Sequence, residues 1–540
     1  MISSRWFWLV VGLAVVLGTF FRVEHIERRL FWTDESWTAL RVSGHTYVEV
    51  RHLFDGRVHT NVDVTRFQQA DPYRNLSATV SGLAAEEPQH PPVFYVLDHV
   101  WALMFGSAIP ALRSPALLFS IAAIAGAYWF VAELSGSAIA AGAAAAIMAV
   151  SPFFVNYGGQ AREYSLWTMA VCVTSALLLR ALRRRTALSW VWYALAMAVS
   201  LYSALFMISV LAAHALYVIV EKRQDHRSIA AFAIAAVVAF ASFVPWLLVC
   251  VHGTHAIWAE QQWTRIPYQL TAFISKWAFN TDTVLFDAEY ADMRLLPIAA
   301  VMLFVILYSA FRLIRDESFR TWRLLVLLSA AIVLPQILLD LATRGHSSTE
   351  SRYMIPLWLS LLVAVALLFG RALSRSRTGV AALPFAALCA VLAVATFSSA
   401  RNSTAVVWWD NDDDYPSTAM AAEIDASGPR PLVVSEGHWA EVLVMSHYLS
   451  PDARLLLFKG TPPFPLPIAR RTFLLAPSAR TLAAFAREPQ YALTAAALAP
   501  PGSEALLAFR AAVRKRRPGA TDDEAPGEFL YRIQARVARR

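Results

Sequence analysis

The sequence has little charge and few cysteines for its length. Only 16% of its 540 residues are Asp, Glu, Lys or Arg, where about 25% is usual in soluble proteins. The three cysteines, Cys172, Cys250 and Cys389, all lie inside apolar runs. The sequence therefore supports neither a disulfide framework nor a cysteine-based metal site, and it leaves the redox compartment open.

Two further signals are missing. The N-terminal segment MISSRWFWLVVGLAVVLGTFF has a basic flank and an apolar centre. It has no small-x-small cleavage site before Arg22, which predicts an uncleaved anchor helix. No internal repeat of fixed period is apparent either. Many transporters are built from inverted repeats, so this absence disfavours a transporter.

What the sequence has in excess is apolar residues. They make up 57% of the chain, and the mean hydropathy is +0.47. A membrane core of about 30 Å needs roughly 20 apolar residues per helix, and such runs recur from Trp6 to Ala395. Beyond that point the chain is more polar up to Arg540. These features predict a mainly α, polytopic membrane bundle followed by a soluble domain.

The net charge of +8 does not indicate a nucleic-acid partner, because most arginines cluster in short loops between apolar runs. By the positive-inside rule these loops are cytoplasmic. They are RALRRR (180–185), EKRQDHR (221–227), RLIRDESFRTWR (312–323) and GRALSRSR (370–377). The resulting topology has eleven crossings, at about 6–22, 113–134, 138–155, 164–180, 189–205, 206–221, 228–252, 293–312, 323–342, 353–370 and 379–398.

The stretch VFYVLDHVWALMFG, residues 93–106, is expected to lie in the membrane interface. At 1.5 Å per residue it is only about 21 Å long, and Asp98 and His99 lie near its middle. A charge at mid-bilayer costs about 2.5–3.5 kcal/mol, which favours an interfacial helix. The acidic loop 23–92 and the loop 156–163 then share the non-cytoplasmic face with 253–292 and 342–352.

Four polar groups on that face are candidates for a site, although each has an ordinary structural explanation. These explanations are a helix N-cap at Thr33 with acidic residues in the first turn, a solvated loop histidine, a local ion pair and a snorkelling arginine. The groups are FWTDESWTAL with Asp34 and Glu35, EEPQHPPVFY with His90, SPFFVNYGGQAREYSLW with Tyr157, Arg162, Glu163 and Tyr164, and HSSTESRYMIPL with Glu350, Arg352 and Tyr353.

Taken in this order, the motifs resemble bacterial glycosyltransferases of the GT-C superfamily. They are DE after the first helix, HPP-aromatic, AREYSL and RY-x-x-P. The nearest groups are the relatives of protein O-mannosyltransferases and of the lipid A aminoarabinose transferase. The resemblance covers roughly residues 1–400. It implies transfer of a sugar, with inversion, from a polyprenyl-phosphate carrier to an acceptor on the non-cytoplasmic face.

The resemblance also implies roles for individual residues. Asp34 matches the catalytic aspartate of the family and Glu35 its acidic neighbour. His90 stands where the aminoarabinose transferases carry a Lys before the Pro, and Arg162-Glu163 stands where they carry an Asp. These departures leave the donor sugar open.

Glycosyl transfer of this kind needs a base for the acceptor hydroxyl and a positive site for the departing phosphate. Asp34 is the candidate base, with Glu35 beside it. Arg162 and Arg352 are the candidates for the phosphate site, because a guanidinium group can bind phosphate through two hydrogen bonds. The remaining substrate-binding candidates are His90, Tyr157, Glu163, Tyr164, Glu350 and Tyr353.

This chemistry requires no cofactor, and the sequence gives little support to a metal. Glu86, His90, His255 and His346 lie on the same predicted face, but no ligand spacing such as HExxH links them. The run WWDNDDDY places Asp410, Asp412 and Asp414 at alternate positions, like half of a calcium loop. It lacks the glycine and the glutamate such a loop requires, so a solvated linker is favoured.

The expected domains are a transmembrane catalytic domain over 1–400, an acidic linker over 401–414 and an extracytoplasmic α/β domain over 415–540. PLVVSEG, ARLLLF and TFLLAP read as strands, and HWAEVLVMSHYL and SARTLAAFAREP as helices. The expected partners are a polyprenyl-phosphate-linked sugar, a glycan, lipid or protein acceptor, and membrane lipids. The expected location is the bacterial inner membrane. The main alternative is a transporter or lipid flippase, whose polar residues would line a pathway.

Overall fold

A computed structural model describes residues 4–24, 26–267, 269–288, 293–315, 322–375, 382–406, 408–409, 415–437, 439–468, 471–496 and 530–535. The chain divides into two compact units, which are described separately. The first comprises Met1–Glu27, Leu83–Leu97 and Arg113–Ala405, and the second comprises Arg28–Gly82, Asp98–Leu112 and Val406–Arg540.

Most described residues are helical. In chain order the helices are α1 (Ser4–Val23), α2 (Thr33–Val42), α3 (Tyr47–Arg51), α4 (Asn61–Thr65), α5 (Leu76–Glu86), α6 (Val93–Phe105), α7 (Ile109–Ser135), α8 (Ala138–Val150), α9 (Pro152–Gly158), α10 (Tyr164–Arg184), α11 (Ala187–Leu201), α12 (Met207–Glu221), α13 (His226–His252), α14 (Thr254–Glu260), α15 (Leu270–Asp282), α16 (Leu296–Arg315), α17 (Trp322–Thr343), α18 (Ile355–Arg375), α19 (Ala382–Ser403), α20 (Tyr415–Ala426), α21 (Trp439–Ser446) and α22 (Ala479–Ala486). The strands are β1 (Val58–Thr60), β2 (Leu432–Ser435), β3 (Arg454–Leu457), β4 (Thr472–Leu475), β5 (Tyr491–Ala495) and β6 (Leu530–Ala535).

Among the described residues, eight helices are long and apolar enough to cross a membrane, or nine if α8 and α9, bent by 61°, form one span. The chain is therefore a multi-pass membrane protein. The predicted crossings at 189–205 and 206–221 correspond to α11 and α12, which have 15 residues each. At 1.5 Å per residue each is about 22 Å long, shorter than the apolar core of a bilayer. Residues 93–105 form a helix, α6, of 13 residues, and its position in the membrane interface stays a prediction.

Small residues allow α8 to lie at the centre of the first unit. Every residue of this Ala-rich helix from Ala140 to Val150 is buried. A Cβ added at Gly370 in α18 would lie 2.5 Å from Ala140 Cα, so only glycine permits this approach of the two helices. Such close backbone packing is how membrane helices associate without a hydrophobic driving force.

The second unit contains a six-stranded mixed sheet in the order β1-β3-β2-β4-β6-β5. β2 runs parallel to both β3 and β4, and Val433 aligns with Leu455 on one side and with Phe473 on the other. These three side chains pack in one core with α21, while Val434, Leu456 and Leu474 pack in a second core with Phe485. The alternation follows from the two-residue period of a strand. The predicted fold class, a mainly α membrane bundle with a C-terminal α/β domain, is confirmed.

Three details differ from the sequence prediction or extend it. β1, from the acidic loop, pairs antiparallel with β3 and joins the C-terminal sheet, which the sequence did not predict. The N-cap of α2 is Trp32, without a side-chain cap, so the ordinary structural explanation for Asp34 and Glu35, an N-cap at Thr33, does not hold. The calcium-like run with Asp410, Asp412 and Asp414 lies outside the described residues.

Candidate active site

The HPP segment is anchored to the first unit through its backbone. The indole N–H of Trp246 and the thiol of Cys250, both on α13, donate to the Pro88 carbonyl at 3.0 Å each. At the start of α6, the Val93 N–H donates to the Tyr202 carbonyl at 3.0 Å. Because the Pro pair fixes an extended backbone between these contacts, the position of His90 is restrained from both sides.

His90 meets the two residues that precede α10. Its Nδ1–H donates to Glu163 Oε1 at 2.8 Å, and its Nε2 lies 3.2 Å from Arg162 Nη2. Arg162 Nε is 3.5 Å from Glu163 Oε2. One ring nitrogen of His90 therefore faces the carboxylate of Glu163, and the other faces the guanidinium of Arg162.

The carboxylate of Glu163 is at the centre of this cluster. Its second oxygen accepts a hydrogen bond from the Tyr95 hydroxyl at 3.3 Å. Burial by itself would raise the pKa of Glu163, but the charges of Arg162 and His90, with the hydrogen bond from His90, lower it well below the ordinary value. Glu163 is therefore ionised at neutral pH. It balances the charge of Arg162, which is only 3% exposed.

The predicted residues Tyr157 and Tyr164 connect this cluster to the segment before α18. Their rings meet edge to face at 5.2 Å, and the guanidinium of Arg162 lies 5.8 Å from the ring of Tyr164. The Tyr157 hydroxyl is 2.5 Å from Ser351 Oγ, next to Arg352. Tyr157 and Ser351 lie 194 positions apart, so the segments that carry Arg162 and Arg352 are joined through buried side chains.

Arg352 is paired with a glutamate, as Arg162 is paired with Glu163. Its Nη1 is 3.4 Å from Glu350 Oε2. Its guanidinium lies 5.3 Å from the ring of Trp263 and 5.5 Å from that of Tyr353. The structure therefore brings together, within one unit, all eight predicted substrate-binding residues in two connected groups: His90, Tyr157, Arg162, Glu163, Tyr164, Glu350, Arg352 and Tyr353.

The two predicted catalytic residues belong to the second unit. Asp34 and Glu35 lie in the first turn of α2, where the helix dipole favours negative charge. Glu35 is fully buried, whereas Asp34 is half-buried. Trp37 packs against Trp439 of α21, with ring centroids 4.9 Å apart, so the helix is attached to the sheet of its own unit. The approach of Asp34 to the two arginines stays a prediction.

The sequence analysis did not single out Tyr95 or give Arg22 a role. Tyr95 lies five residues after His90, on the first turn of α6. The sequence signal that could have identified it is the aromatic segment directly after the Pro pair. Arg22 is fully buried, and it donates to the carbonyls of Ala149 at 2.5 Å and Met148 at 3.1 Å and to Ser120 Oγ at 2.8 Å. Arg22 therefore supplies hydrogen bonds to backbone carbonyls in the last turn of α8, where the chain bends into α9.

The backbone at Gly158, at the end of α9, closely approaches Ser120 of α7. A Cβ at Gly158 would collide with the hydroxyl of Ser120, the group that binds Arg22. Only glycine therefore allows the end of α9 to pass α7 at this point. In the part of the chain that the structure describes, no three His, Cys, Asp or Glu side chains are grouped so that they could hold a metal ion.

A family model described as dolichyl-phosphate-mannose-protein mannosyltransferase matches residues 89–249. The matched segment contains His90, Tyr95, Arg162 and Glu163 and covers less than a third of the chain. No curated protein sequence matches the chain significantly.

Several solved structures are similar to the chain. Apo ArnT from Cupriavidus metallidurans is 14% identical, with a TM-score of 0.51, and the match covers 83% of this chain and 86% of ArnT. The same enzyme bound to undecaprenyl phosphate is 15% identical, with a TM-score of 0.47 and the same coverage. The apo oligosaccharyltransferase of Archaeoglobus fulgidus is 14% identical with a TM-score of 0.48, and the match covers 86% of this chain. The chain spans 65% of the length of that archaeal enzyme.

Proposed function

Because the chain has the fold of the GT-C glycosyltransferases, as its sequence predicted, we propose that it is an integral-membrane glycosyltransferase. It takes a sugar from a polyprenyl-phosphate carrier and transfers it, with inversion, to a hydroxyl of a glycan, lipid or protein. The site faces the non-cytoplasmic side of the bacterial inner membrane. The description of the matching family model, dolichyl-phosphate-mannose-protein mannosyltransferase, names a lipid-phosphate-linked sugar as the donor, and this supports a donor of that class.

The observation that carries the proposal is the pair of buried arginines at the starts of two membrane helices. Arg162 and Arg352 are 3% and 7% exposed and precede α10 and α18. A buried charge is costly unless it has a function or a partner. Glu163 and Glu350 each contact one of the two guanidinium groups, and a guanidinium group can bind phosphate through two parallel hydrogen bonds. The arrangement suits a phosphate held where an apolar helix meets the lipid headgroups.

In the proposed reaction Asp34 accepts the proton of the acceptor hydroxyl. The oxygen attacks the anomeric carbon from the face opposite the phosphate. The bond from that carbon to the phosphate oxygen breaks, and the polyprenyl phosphate leaves with the electron pair, held by Arg162 and Arg352. Asp34 then gives its proton to water. The base contributes about 10² to 10⁴-fold, and a phosphate anion needs no strong acid to leave.

The test uses the full-length protein in proteoliposomes with radiolabelled polyprenyl-phosphate hexoses and pentoses. A glycosyltransferase releases free polyprenyl phosphate and moves the label to an acceptor or to water. A flippase, the alternative, carries the label across the bilayer with the sugar–phosphate bond intact. Movement of intact donor without any bond cleavage, across the whole donor panel, would overturn the proposal in favour of the flippase.

A further inference from the structure

The segment between α17 and α18 is held by an aspartate near the end of α17. Asp340 lies in the last turn of that helix and is 6% exposed. One of its carboxyl oxygens accepts a hydrogen bond from the backbone N–H of Ser347 at 2.6 Å, and the other accepts from the backbone N–H of Ser348 at 2.8 Å. The two oxygens of one side chain therefore bind two consecutive backbone donors.

The last turn of a helix is a poor place for a carboxylate. The helix dipole puts partial negative charge at this end, so an acidic side chain there is disfavoured by the helix itself. Hydrogen bonds from N–H groups to a carboxylate are shorter and stronger than those between neutral groups. The position of Asp340 is therefore explained by the segment that it holds and not by the helix to which it belongs.

The segment held by Asp340 leads directly to Arg352. Ser347–Thr349 forms one short 3₁₀ turn, and Ser351–Met354, which carries Arg352, forms a second. Only Glu350 lies between the two turns. A displacement of the first turn would therefore move the backbone from which the guanidinium of Arg352 extends.

Side chains from two other helices hold the same segment further along. The amide of Asn280, on α15, donates to the carbonyl of Thr349 at 2.5 Å. The indole N–H of Trp358, on α18, donates to the carbonyl of Ser351 at 2.8 Å. With Asp340 at its first residues, the segment is restrained along its length before Arg352.

We propose that Asp340 is a positioning residue for the donor phosphate and acts through Arg352. This inference rests on the proposed function, in which Arg352 binds the phosphate of a polyprenyl-phosphate carrier. Asp340 fixes the turn and not the phosphate itself. Because the turn is ordered before the donor binds, the guanidinium is already in place and binding does not have to order the loop.

The test measures binding of radiolabelled undecaprenyl phosphate to the full-length protein in detergent. Undecaprenol, which lacks the phosphate, is the second ligand. Asp340→Asn leaves one acceptor oxygen for two backbone donors. The dissociation constant for undecaprenyl phosphate should therefore rise about fivefold, and that for undecaprenol should stay unchanged. Equal changes for both lipids, or no change for either, would overturn the inference.

Asp425→Asn is the matched control. Asp425 also lies in the last turn of a helix, α20, and its carboxylate accepts from the backbone N–H of Ser450 at 2.9 Å. This variant should lower the thermal midpoint and leave the affinity for both lipids unchanged. If Asp340→Asn does not fold, Asp340→Glu takes its place. It keeps the carboxyl group but displaces its oxygens by one methylene, and the same loss of undecaprenyl phosphate binding is expected.

A double-mutant cycle shows whether Asp340 acts through Arg352. Arg352→Lys alone should weaken undecaprenyl phosphate binding about tenfold. Adding Asp340→Asn to this variant should weaken binding hardly further, because residues that act through one another are not additive. Additive losses would contradict the inference while leaving the phosphate contact intact. If Arg352→Lys binds as well as the unaltered protein, the phosphate contact of the proposed function is wrong, and this inference is wrong with it.

Discussion

The ring of His90 donates a hydrogen bond of 2.8 Å to the carboxylate of Glu163. This contact joins the loop before α6 to the residues that open α10, which lie 73 positions apart. The same carboxylate contacts Arg162 and accepts from Tyr95. Glu163 therefore holds a cationic and an aromatic side chain together, and its predicted role in substrate binding stays a prediction.

Glu163→Gln should destabilise the protein strongly at neutral pH. Removing one partner of a buried ion pair costs about 3–5 kcal/mol, and Glu163→Gln removes the carboxylate charge that contacts Arg162. Since the fold lowers the pKa of Glu163, its stabilisation is present above the unfolded value, about 4.3, and is lost as the pH falls through the lower folded value. The thermal midpoint, measured in detergent at pH 7 and pH 4, should show a smaller deficit at the lower pH.

The matched control is Tyr95→Phe, which removes a 3.3 Å hydrogen bond to the same carboxylate and no charge. It should cost only about 1 kcal/mol at both pH values. If the two variants are equally destabilised, the charge of Glu163 is not what holds the cluster together.

Arg162→Lys should weaken donor binding more than the chemical step. Lysine keeps the charge but loses the planar fork that matches phosphate, so the donor KM should rise about tenfold while kcat changes less. The measurement is a steady-state titration with the donor identified in the transfer assay. Arg184→Lys, at the exposed far end of α10, serves as control. An unchanged KM in Arg162→Lys would contradict the proposed phosphate contact.

The connected groups around Arg162 and Arg352 could be predicted from sequence because they depend on local patterns. AREYSL and RY-x-x-P each put an arginine at the start of an apolar helix. The positive-inside rule predicts that both loops lie on the same face of the membrane. The same reasoning found the strands of the C-terminal domain, whose apolar runs are bounded by Gly, Pro and Ser.

What the sequence could not predict are contacts between distant segments without a local pattern. β1 has three residues, VHT, and it pairs with β3 about 400 positions later, so no alternation indicates the pairing. Arg22 resembles any arginine at the end of a membrane helix, and only the folded structure places the carbonyls of Met148 and Ala149 in α8 and the hydroxyl of Ser120 in α7 beside it. Thr33 offers a capping hydroxyl in the sequence, but in the structure Trp32, which lacks a capping oxygen, holds the N-cap position of α2.

Asp34→Asn should abolish sugar transfer and leave expression and donor binding intact. The amide cannot accept the proton of the acceptor hydroxyl, so kcat should fall by about 10² to 10⁴. Asp71→Asn is the matched control. Asp71 is a half-buried aspartate of the same unit, and among the described hydrogen bonds its carboxylate accepts one, from the backbone N–H of Tyr73. Turnover retained in Asp34→Asn, or lost equally in Asp71→Asn, would remove Asp34 from the catalytic role.

Asp282 should make the stability of the protein fall as the pH rises from about 4 to about 8. Burial, followed by the charge of Asp287, raises the pKa of Asp282 to about 8. Neither of its carboxyl oxygens has a hydrogen-bond partner among the described residues. Between the unfolded pKa, about 3.9, and 8, the folded state binds more protons than the unfolded state, so stability falls as the pH rises.

Asp282→Asn should remove this dependence, and the variant should be more stable than the unaltered protein at pH 9. Asp287→Asn should shift the dependence to lower pH, because it removes the neighbouring charge and keeps Asp282. Thermal midpoints from pH 5 to pH 9 test both variants. A parallel decline in all three proteins would mean that another group is responsible.

The proposed sidedness of the site can be tested by labelling single cysteines with a membrane-impermeant maleimide. Ser36 and Gly159 would mark the two loops directly, but both are buried. Tyr73, which is 96% exposed, and the exposed His255 are better positions on the predicted outer face, and the exposed Arg223 is one on the arginine-rich face. The background carries Cys389→Ser, because Cys172 and Cys250 are already buried.

In intact cells, Tyr73→Cys and His255→Cys should be labelled and Arg223→Cys only after permeabilisation. The result does not depend on whether the short helices α11 and α12 cross the membrane. They form a pair, so the chain returns to the same face whether it crosses twice or not at all. If Tyr73→Cys and Arg223→Cys were labelled under the same condition and His255→Cys under the other, α6 would have to cross the membrane. Asp34 would then face the side opposite Arg162, and the proposed active site could not form.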